Sequence, residues 1–556
     1  MSQRPATTAP IDVLREALQD AAHTVGGDSQ AGTRATLERP KRDDHGDYAT
    51  NVAMLLAPVV GGPPRDIAGR VGEELQTRLG PLLDRVEVAG PGFLNLFLSD
   101  AWHADALAHV LAAGEAFGGG GATTPEKIDV EFVSANPTGP LHVGHARNAA
   151  YGDALSRIYT LYGHEVTREY YVNDFGSQIA RLAESVQARA KGEDVAEDGY
   201  QGDYIQAVAD AIPGAAEAEL AELGAQAVAL MVERIKASLH AFGVDFEVWF
   251  SEKSLHDPKP QFGGKDEVTH AFERLAELEQ TYHHEDALWL RSTAHGDDKD
   301  RVLMRSSGEH TYFASDIAYM LDKRERGFDR FVYVLGADHH GYRARMAAAF
   351  ESLGGDTDTL DLLIMQFVHL VERGERSSMS KRSGEFVTLD DLVSEIGVDA
   401  ARWFLLQRSH DTMIDLDLDL AREQSSENPV YYVQYAHARI ASVLAKAGAD
   451  RVKESLAADH TGVAMEPGER ALIKKLLAFP EEVGEAAARR APHRISTYAL
   501  ELAQTFTAFY RDCQVVGAEG EGVEEQRIAL SVAAQRTIAS ALGLLGVSAP
   551  ESMSRD

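Results

Sequence analysis

The chain has 556 residues, 44% hydrophobic and 25% charged, which is ordinary for globular protein but too long for one core, so about three domains are expected. A single cysteine, Cys513, excludes an internal disulfide and a cysteine-based zinc cluster and fits a reducing compartment. The net charge of −33 argues against bulk attraction to nucleic acid, so an RNA-binding face needs local basic patches. Candidates are Arg39, Lys41 and Arg42; Lys474 and Lys475; and Arg489, Arg490, His493 and Arg494. The first residues lack the apolar stretch of a signal peptide and no run approaches a membrane span, so a cytoplasmic location is expected.

In chain order, residues 11–22 carry apolar residues at helical spacing. Residues 46–56 read as the entry to a second helix with Asp47 as its N-cap, and residues 64–79 as a third. Residues 86–88 and 93–98 read as strands joined through Gly90, Pro91 and Gly92, giving a small α+β module over residues 1–115. The glycine run 118–121, followed by Thr123, Thr124 and Pro125, marks a flexible boundary.

Residues 128–133 alternate apolar and acidic side chains and predict a strand. The run Asn136-Pro137-Thr138-Gly139-Pro140 breaks it, and residues 146–162 regain helical spacing. Strand, Pro/Gly loop and helix, with His142, Gly144 and His145 at the helix mouth, form an arrangement that handles phosphate. Unpaired N–H groups there attract anions, and a glycine lets a nucleotide approach the backbone. Taken alone, the two histidines read more simply as a capped helix start, and a metal pair would need a third ligand that the neighbourhood lacks.

Residues 165–172 read as a second strand ending at Asn173 and Asp174. Strand, helix and strand at this spacing imply a right-handed crossover and a doubly wound parallel sheet with its ligand at the strands' carboxyl ends. Helical patterns at 204–212 and 217–242 and a strand at 246–250 read as an insertion over about 192–290, after which the sheet resumes at 287–290 and 301–305. Residues 311–319 predict a helix with Tyr312 and Asp316 on one face. The strand 330–335 ends in a polar loop containing Asp338, His339 and His340, and a strand-like stretch, 362–371, leads into the basic loop 372–384. Helical character dominates from about 390, with Asp399 as a cap; Tyr431, Tyr432 and Tyr435 suit base stacking or core packing.

The motif A-N-P-T-G-P-L-H-V-G-H after a strand closely resembles the nucleotide-binding signature of class I aminoacyl-tRNA synthetases, in the wording of the arginyl family. The loop at 372–384 resembles the second signature of that class, with Met379, Ser380 and Lys381 matching and Ser378 standing where the pattern has its first lysine. The segments G-D-Y-A-T-N and G-P-G-F-L-N are similar to those of the family's extra N-terminal domain, and E-N-P-V-Y-Y-V-Q-Y-A-H-A-R to the start of its anticodon-binding helices. The resemblance implies a multidomain α/β protein: an N-terminal tRNA-binding domain (1–115), a Rossmann-like catalytic domain (122–395) holding the insertion, and a helical anticodon-binding domain (396–556).

It further implies ATP-dependent formation of arginyl-adenylate and transfer of arginine to the 3′ end of arginine tRNA, with tRNA needed for the activation step. ATP with Mg²⁺ is expected as the substrate complex, without protein-bound zinc, and a monomer is the family expectation. By motif position, His142, His145 and Lys381 are the catalytic candidates, and His142, Gly144, His145, Met379, Ser380 and Lys381 the ATP-binding ones. Arginine would meet Glu131, Ser134, Ala135, Asn136, His145, Tyr312, Asp316 and His339, the last standing where some relatives carry glutamine. A cysteinyl or glutamyl synthetase would lack the T-Y-F-A-S-D segment, and a non-catalytic paralogue would lose the histidines and lysine, which this chain keeps.

Overall fold

The computed structural model describes residues 9–27, 30–40, 42–376 and 387–553. Helix α1 (Pro10–Gly26) turns Leu14, Leu18, Ala21 and Val25 inward, as its apolar spacing requires. It packs with α2 (Val52–Val60) and α3 (Pro64–Leu79) beside a sheet of β1 (Leu37–Glu38), β2 (Tyr48–Thr50), β3 (Leu83–Ala89) and β4 (Phe93–Leu98), in the order β1-β2-β4-β3. Asp47 is not a helix cap. Tyr48 and Thr50 point inward at a period of two, so the segment pairs with β4. The Asp47 carboxylate instead accepts from the Leu98 N–H at 2.7 Å and pairs with Lys474 at 3.0 Å.

Helix α4 (Asp100–Ala113), capped by Ser99, leads into the glycine run. That run is a tightly packed crossing, not a flexible joint. A Cβ on Gly118 would lie 2.6 Å from the Phe479 ring, one on Gly119 would lie 2.7 Å from the Leu161 carbonyl, and one on Gly121 would collide with Tyr162. The N–H groups of Gly120 and Ala122 donate to the carbonyls of Leu161 and Tyr162.

The central α/β block begins with β5 (Lys127–Phe132), α5 (Val143–Tyr162) and β6 (Glu165–Val172). Helices α6 (Ser177–Lys191), α7 (Asp203–Ala211) and α8 (Leu220–Ala241) share a satellite core and lead to β7 (Val248–Ser251). This strand pairs in parallel with β6, so part of the stretch read as an insertion belongs to the central sheet. After α9 (Glu267–Glu277), β8 (Thr281–His284), β9 (Ala287–Leu290) and β10 (Arg301–Met304) form their own antiparallel sheet and do not resume the central one. Their connections are too short for the crossover that parallel pairing needs, and Glu285 and Asp286, at φ 49° and 57°, close β8 onto β9.

Helix α10 (Tyr312–Glu325), β11 (Arg330–Leu335), α11 (Arg343–Ser352) and β12 (Leu360–Ile364) complete a parallel sheet in the order β12-β11-β5-β6-β7. The stretch 362–371 is two strands: the chain leaves the sheet after β12, and β13 (Val368–Glu372) pairs with β14 (Glu375–Arg376) and β15 (Ile414–Asp417). Arg147 of α5 ties down the break, donating to the carbonyls of Gln366, Ser409 and Thr412 at 2.6, 2.9 and 2.9 Å.

Helix α12 (Leu389–Leu406) bends at Gly397, where φ is 79°. Then come α13 (Pro429–Ala447), capped by Asn428, α14 (Ala449–Ala457), α15 (Pro467–Leu476), α16 (Phe479–Ala488), α17 (His493–Asp512) and α18 (Val523–Leu544). Helices α13, α17 and α18 pack on one another, and α4 packs on α15 and α18. Among the described residues no helix is long and apolar enough to cross a membrane.

Candidate active site

From β5 the chain runs on to β6, and from β11 to β12 on the opposite side, which opens a crevice between β5 and β11 at their carboxyl ends. A cavity of about 200 Å³ lies there, lined by Glu131, Ser134, Tyr171, Asn173, Asp316, Tyr319, Tyr333, His339 and Tyr342 among others. Its floor explains the alternation in β5. Ile128, Val130 and Phe132 join the main apolar core, whereas Asp129 and Glu131 are buried against α10. The fully buried Lys323 donates to Asp129 at 2.7 Å and to Glu131 at 2.8 Å, between the rings of Tyr319 and Tyr333. Burial opposes its charge, but Asp129 and Glu131 hold the ammonium well above the ordinary lysine range. Alongside, Glu169 takes both guanidinium nitrogens of Arg326, at 2.6 and 2.8 Å.

Beyond β5 the backbone is strained: Val133 and Ser134 have φ of 68° and 38°, a region costly for a β-branched residue. The twist points the Ser134 hydroxyl back to donate to Glu131 at 3.0 Å and accept from the Tyr171 N–H at 3.1 Å. Ala135 is buried and its carbonyl accepts from the Tyr170 hydroxyl at 2.9 Å, while Asn136 is exposed.

Tyr312, Asp316, Tyr319 and Lys323 follow one another at spacings of four, three and four along α10, a stripe that descends from the rim of the cavity to its floor. Asp316 lines the wall and accepts a hydrogen bond from the Tyr342 hydroxyl. Burial, aided by the charge of Glu131, lifts its carboxyl to about 6. Glu252, buried nearby, is lifted to about 7 by burial and by Asp316 and Asp174. Tyr312 stands at the rim, 75% exposed and outside the lining. His339 lines the cavity edge-on to Tyr342.

Sequence reasoning missed Lys323, Tyr342 and Glu252. The first was within reach, since a lysine on the helical face of Asp316 is a signal of the same kind as Tyr312. Tyr342 and Glu252 sit in 3₁₀ turns whose placement no local pattern specifies.

Outside the cavity, His142 is the N-cap of α5. The Gly144 N–H donates to His142 Nδ1 at 3.1 Å, and the His142 N–H donates to His145 Nδ1 at 3.3 Å. The rings stack at 3.7 Å. Because each Nδ1 accepts, each ring carries its proton on Nε2. Burial and the neighbouring His142 push His145 down to about 3, so it stays neutral. A Cβ on Gly144 would lie 2.9 Å from the His142 ring, so the cap needs a glycine there. Capping therefore uses Nδ1 and leaves Nε2–H as the donor of each ring. Neither histidine lines the cavity that holds Glu131 and Asp316.

Met379, Ser380 and Lys381 lie outside the described residues. The residues that follow them are docked on the histidine loop: the Val143 N–H donates to the Val387 carbonyl at 3.2 Å and the Leu389 N–H to the Leu141 carbonyl at 2.8 Å. Among the described residues no three His, Cys, Asp or Glu side chains are grouped to hold a metal ion.

Three protein families match the chain. "Arginyl tRNA synthetase N terminal domain" matches residues 12–98, "tRNA synthetases class I (R), catalytic domain" residues 106–208 and 265–442, and "DALR anticodon binding domain" residues 433–553. A structure described as a presumed arginyl-tRNA synthetase from Campylobacter jejuni is similar at 35% identity and TM-score 0.75, covering 82% of this chain and 100% of its own. The arginyl-tRNA synthetase of Thermus thermophilus is 25% identical with TM-score 0.75 over 98% of this chain and 100% of its own. That of Plasmodium falciparum, 16% identical with TM-score 0.72 over 99% of this chain and 100% of its own, shares the fold.

Proposed function

The chain belongs to the arginyl-tRNA synthetases and is an arginine–tRNA ligase; from that premise we propose how its residues divide the work between arginine, ATP and tRNA. The reading rests chiefly on one observation: Asp316 and Glu131 face a single cavity at the sheet's switch point. A planar guanidinium pairs with carboxylates through two parallel hydrogen bonds, and the point charge of a lysine does not. Glu131, held by Lys323 and Ser134, forms a fixed negative wall, and Asp316 is the guanidinium's direct partner. Tyr312 covers the side chain from the rim, Ser134 and His339 in the cavity lining hold the backbone end, and Ala135, Asn136 and His145, outside that lining, meet it on the ATP side. Such a site discriminates by roughly 10⁴ without editing.

ATP enters over the start of α5 with Mg²⁺ carried on its phosphates. The Nε2–H groups of His142 and His145 donate to the triphosphate, the Gly144 backbone lies beneath it, Met379, Ser380 and Lys381 of the second signature are its further ligands, and Lys381 neutralises the charge building on the β and γ phosphates. The arginine carboxylate attacks the α-phosphorus in line and pyrophosphate leaves. Positioning and charge neutralisation are the main demands of this step. A terminal ribose hydroxyl of the tRNA then attacks the adenylate carbonyl, and AMP departs. The N-terminal module contacts the tRNA elbow and the C-terminal helices the anticodon, in a cytoplasmic monomer.

Replacing Asp316 by alanine should raise the KM for arginine about 100-fold. Parallel loss of ATP affinity would remove Asp316 from the guanidinium site. Lys381→Ala should slow adenylate formation about 10²-fold in single-turnover assays containing tRNA, and near-normal turnover would dismiss it.

A further inference from the structure

We propose that Phe175 is the platform on which the 3′-terminal adenine of the tRNA stacks, with His256 as its backing ring. The inference rests on the reading of the cavity as the arginine pocket. The accepting ribose must reach the carbonyl of the adenylate at the strands' carboxyl ends, so its base lies at the cavity mouth. There β6 leaves the sheet through Asn173, which lines the cavity, and two residues later Phe175 is 43% exposed.

Its ring lies on His256 at 4.1 Å and 17°, and His256 is itself held at 3.3 Å by Ser315, the residue before Asp316. The loop is pinned, because Asp174 accepts from the Ser251 hydroxyl at 2.6 Å and from the Lys253 N–H at 2.9 Å. From Phe175 and Gly176 a groove of about 580 Å³ runs past Val228 and Trp249 to the exposed Lys253. Asp174 and Glu233 also line the groove, so the feature that suits a base is the exposed aromatic face itself, with Lys253 the cation in that lining available to a phosphate. The ring is fixed to the arginine-reading helix through His256 and Ser315, so docking of the terminal base sets the ribose against the amino-acid pocket.

The test uses the full chain, native arginine tRNA, and the same tRNA lacking its terminal adenosine as a competitive inhibitor. Phe175→Ala and Phe175→Leu should each lower kcat/KM for tRNA about 5- to 100-fold, while Phe175→Tyr stays near wild type. Inhibition by the shortened tRNA and binding of arginine in a thermal-shift titration should not change. Leucine keeps the apolar bulk and loses the π face, so normal activity in Phe175→Leu would overturn the proposal. Equal weakening of the shortened tRNA would also overturn it, as would loss of arginine binding. Asp316→Ala must show the opposite pattern, losing arginine and keeping the preference for the complete 3′ end. If it does not, the pocket reading fails instead.

Discussion

Burial and the charge of Glu131 lift Asp316 to about 6, and burial with Asp316 and Asp174 lifts Glu252 to about 7. A guanidinium binds the ionised carboxylate, so arginine and protons compete for Asp316. Above pH 7 the affinity should be flat; below about 6 it should fall roughly tenfold per unit as the empty pocket takes up its proton. Titration calorimetry near pH 6, in buffers of different ionisation enthalpy, should show proton release on arginine binding; zero release would mean that Asp316 is already ionised. ATP affinity should not rise as pH falls through 6.5, because His145 is held near 3 by burial and by His142. At this scale Glu131 and Ser134, named from a contiguous motif, line the cavity, whereas Ala135, Asn136 and His145 of the same motif do not. Lys323 and Tyr342 escaped because each acts across a tertiary contact, one beneath the sheet and one from a 3₁₀ turn.

Strand β5 and helix α10 hold each other through Lys323, the one cation that Asp129 and Glu131 share in the described network. Lys323→Met would leave both carboxylates buried without it and should cost about 3–5 kcal/mol near pH 9 in urea unfolding. Burial already lifts the Asp129 carboxyl to about 7 beside Lys323, and losing that cation lifts it further. The folded variant therefore takes up its proton at higher pH than wild type does, so its deficit should shrink as pH falls from about 9 towards 7 and stay level below. A constant deficit would mean lost packing and not stranded charge. The central strands were readable because their apolar runs end abruptly at polar, Gly-rich loops. Strands β9 and β10 were read as strands but assigned to the central sheet, since the Glu285-Asp286 turn lacks the usual Asn or Gly that would have announced the β8–β9 hairpin, and Tyr48–Thr50 is too short to be read as a strand. The glycine run misled for a physical reason: composition reports freedom of the chain, whereas here it reports the close approach of Phe479, Leu161 and Tyr162.

Across the whole molecule, several of the basic residues that composition singled out, and Arg470 beside them, are engaged within it, whereas Arg42 and Arg489 stay exposed. Lys474 pairs with Asp47 at 3.0 Å, Arg470 with Asp100 at 2.7 Å, and Arg39 donates to the Leu477 carbonyl at 3.0 Å, joining the N-terminal module to the C-terminal helices. Arg490 pairs with Asp361 at 2.7 Å and Arg494 with Glu482 at 2.8 Å. The junction between catalytic and helical parts rests on a deeper contact. Arg402 of α12, fully buried, pairs with the fully buried Asp153 of α5 at 2.5 Å. It also donates to the carbonyls of Leu545 and Phe242 at 2.8 and 3.2 Å. One guanidinium thus joins the helix that begins with the two histidines to the ends of α8 and α18. Partly exposed pairs such as Arg470–Asp100 are worth at most about 1 kcal/mol, whereas removing a fully buried partner costs up to about 3–5 kcal/mol, reduced here because Asp153 keeps Arg157 at 2.7 Å and Arg168 at 3.2 Å. Arg402→Met should therefore destabilise far more than Arg470→Ala and split urea unfolding into two steps, the C-terminal helices separating first. A single transition with a loss below about 1 kcal/mol would place the coupling between the two parts in apolar packing, since an uncoupled Arg402 would leave no signature of its own.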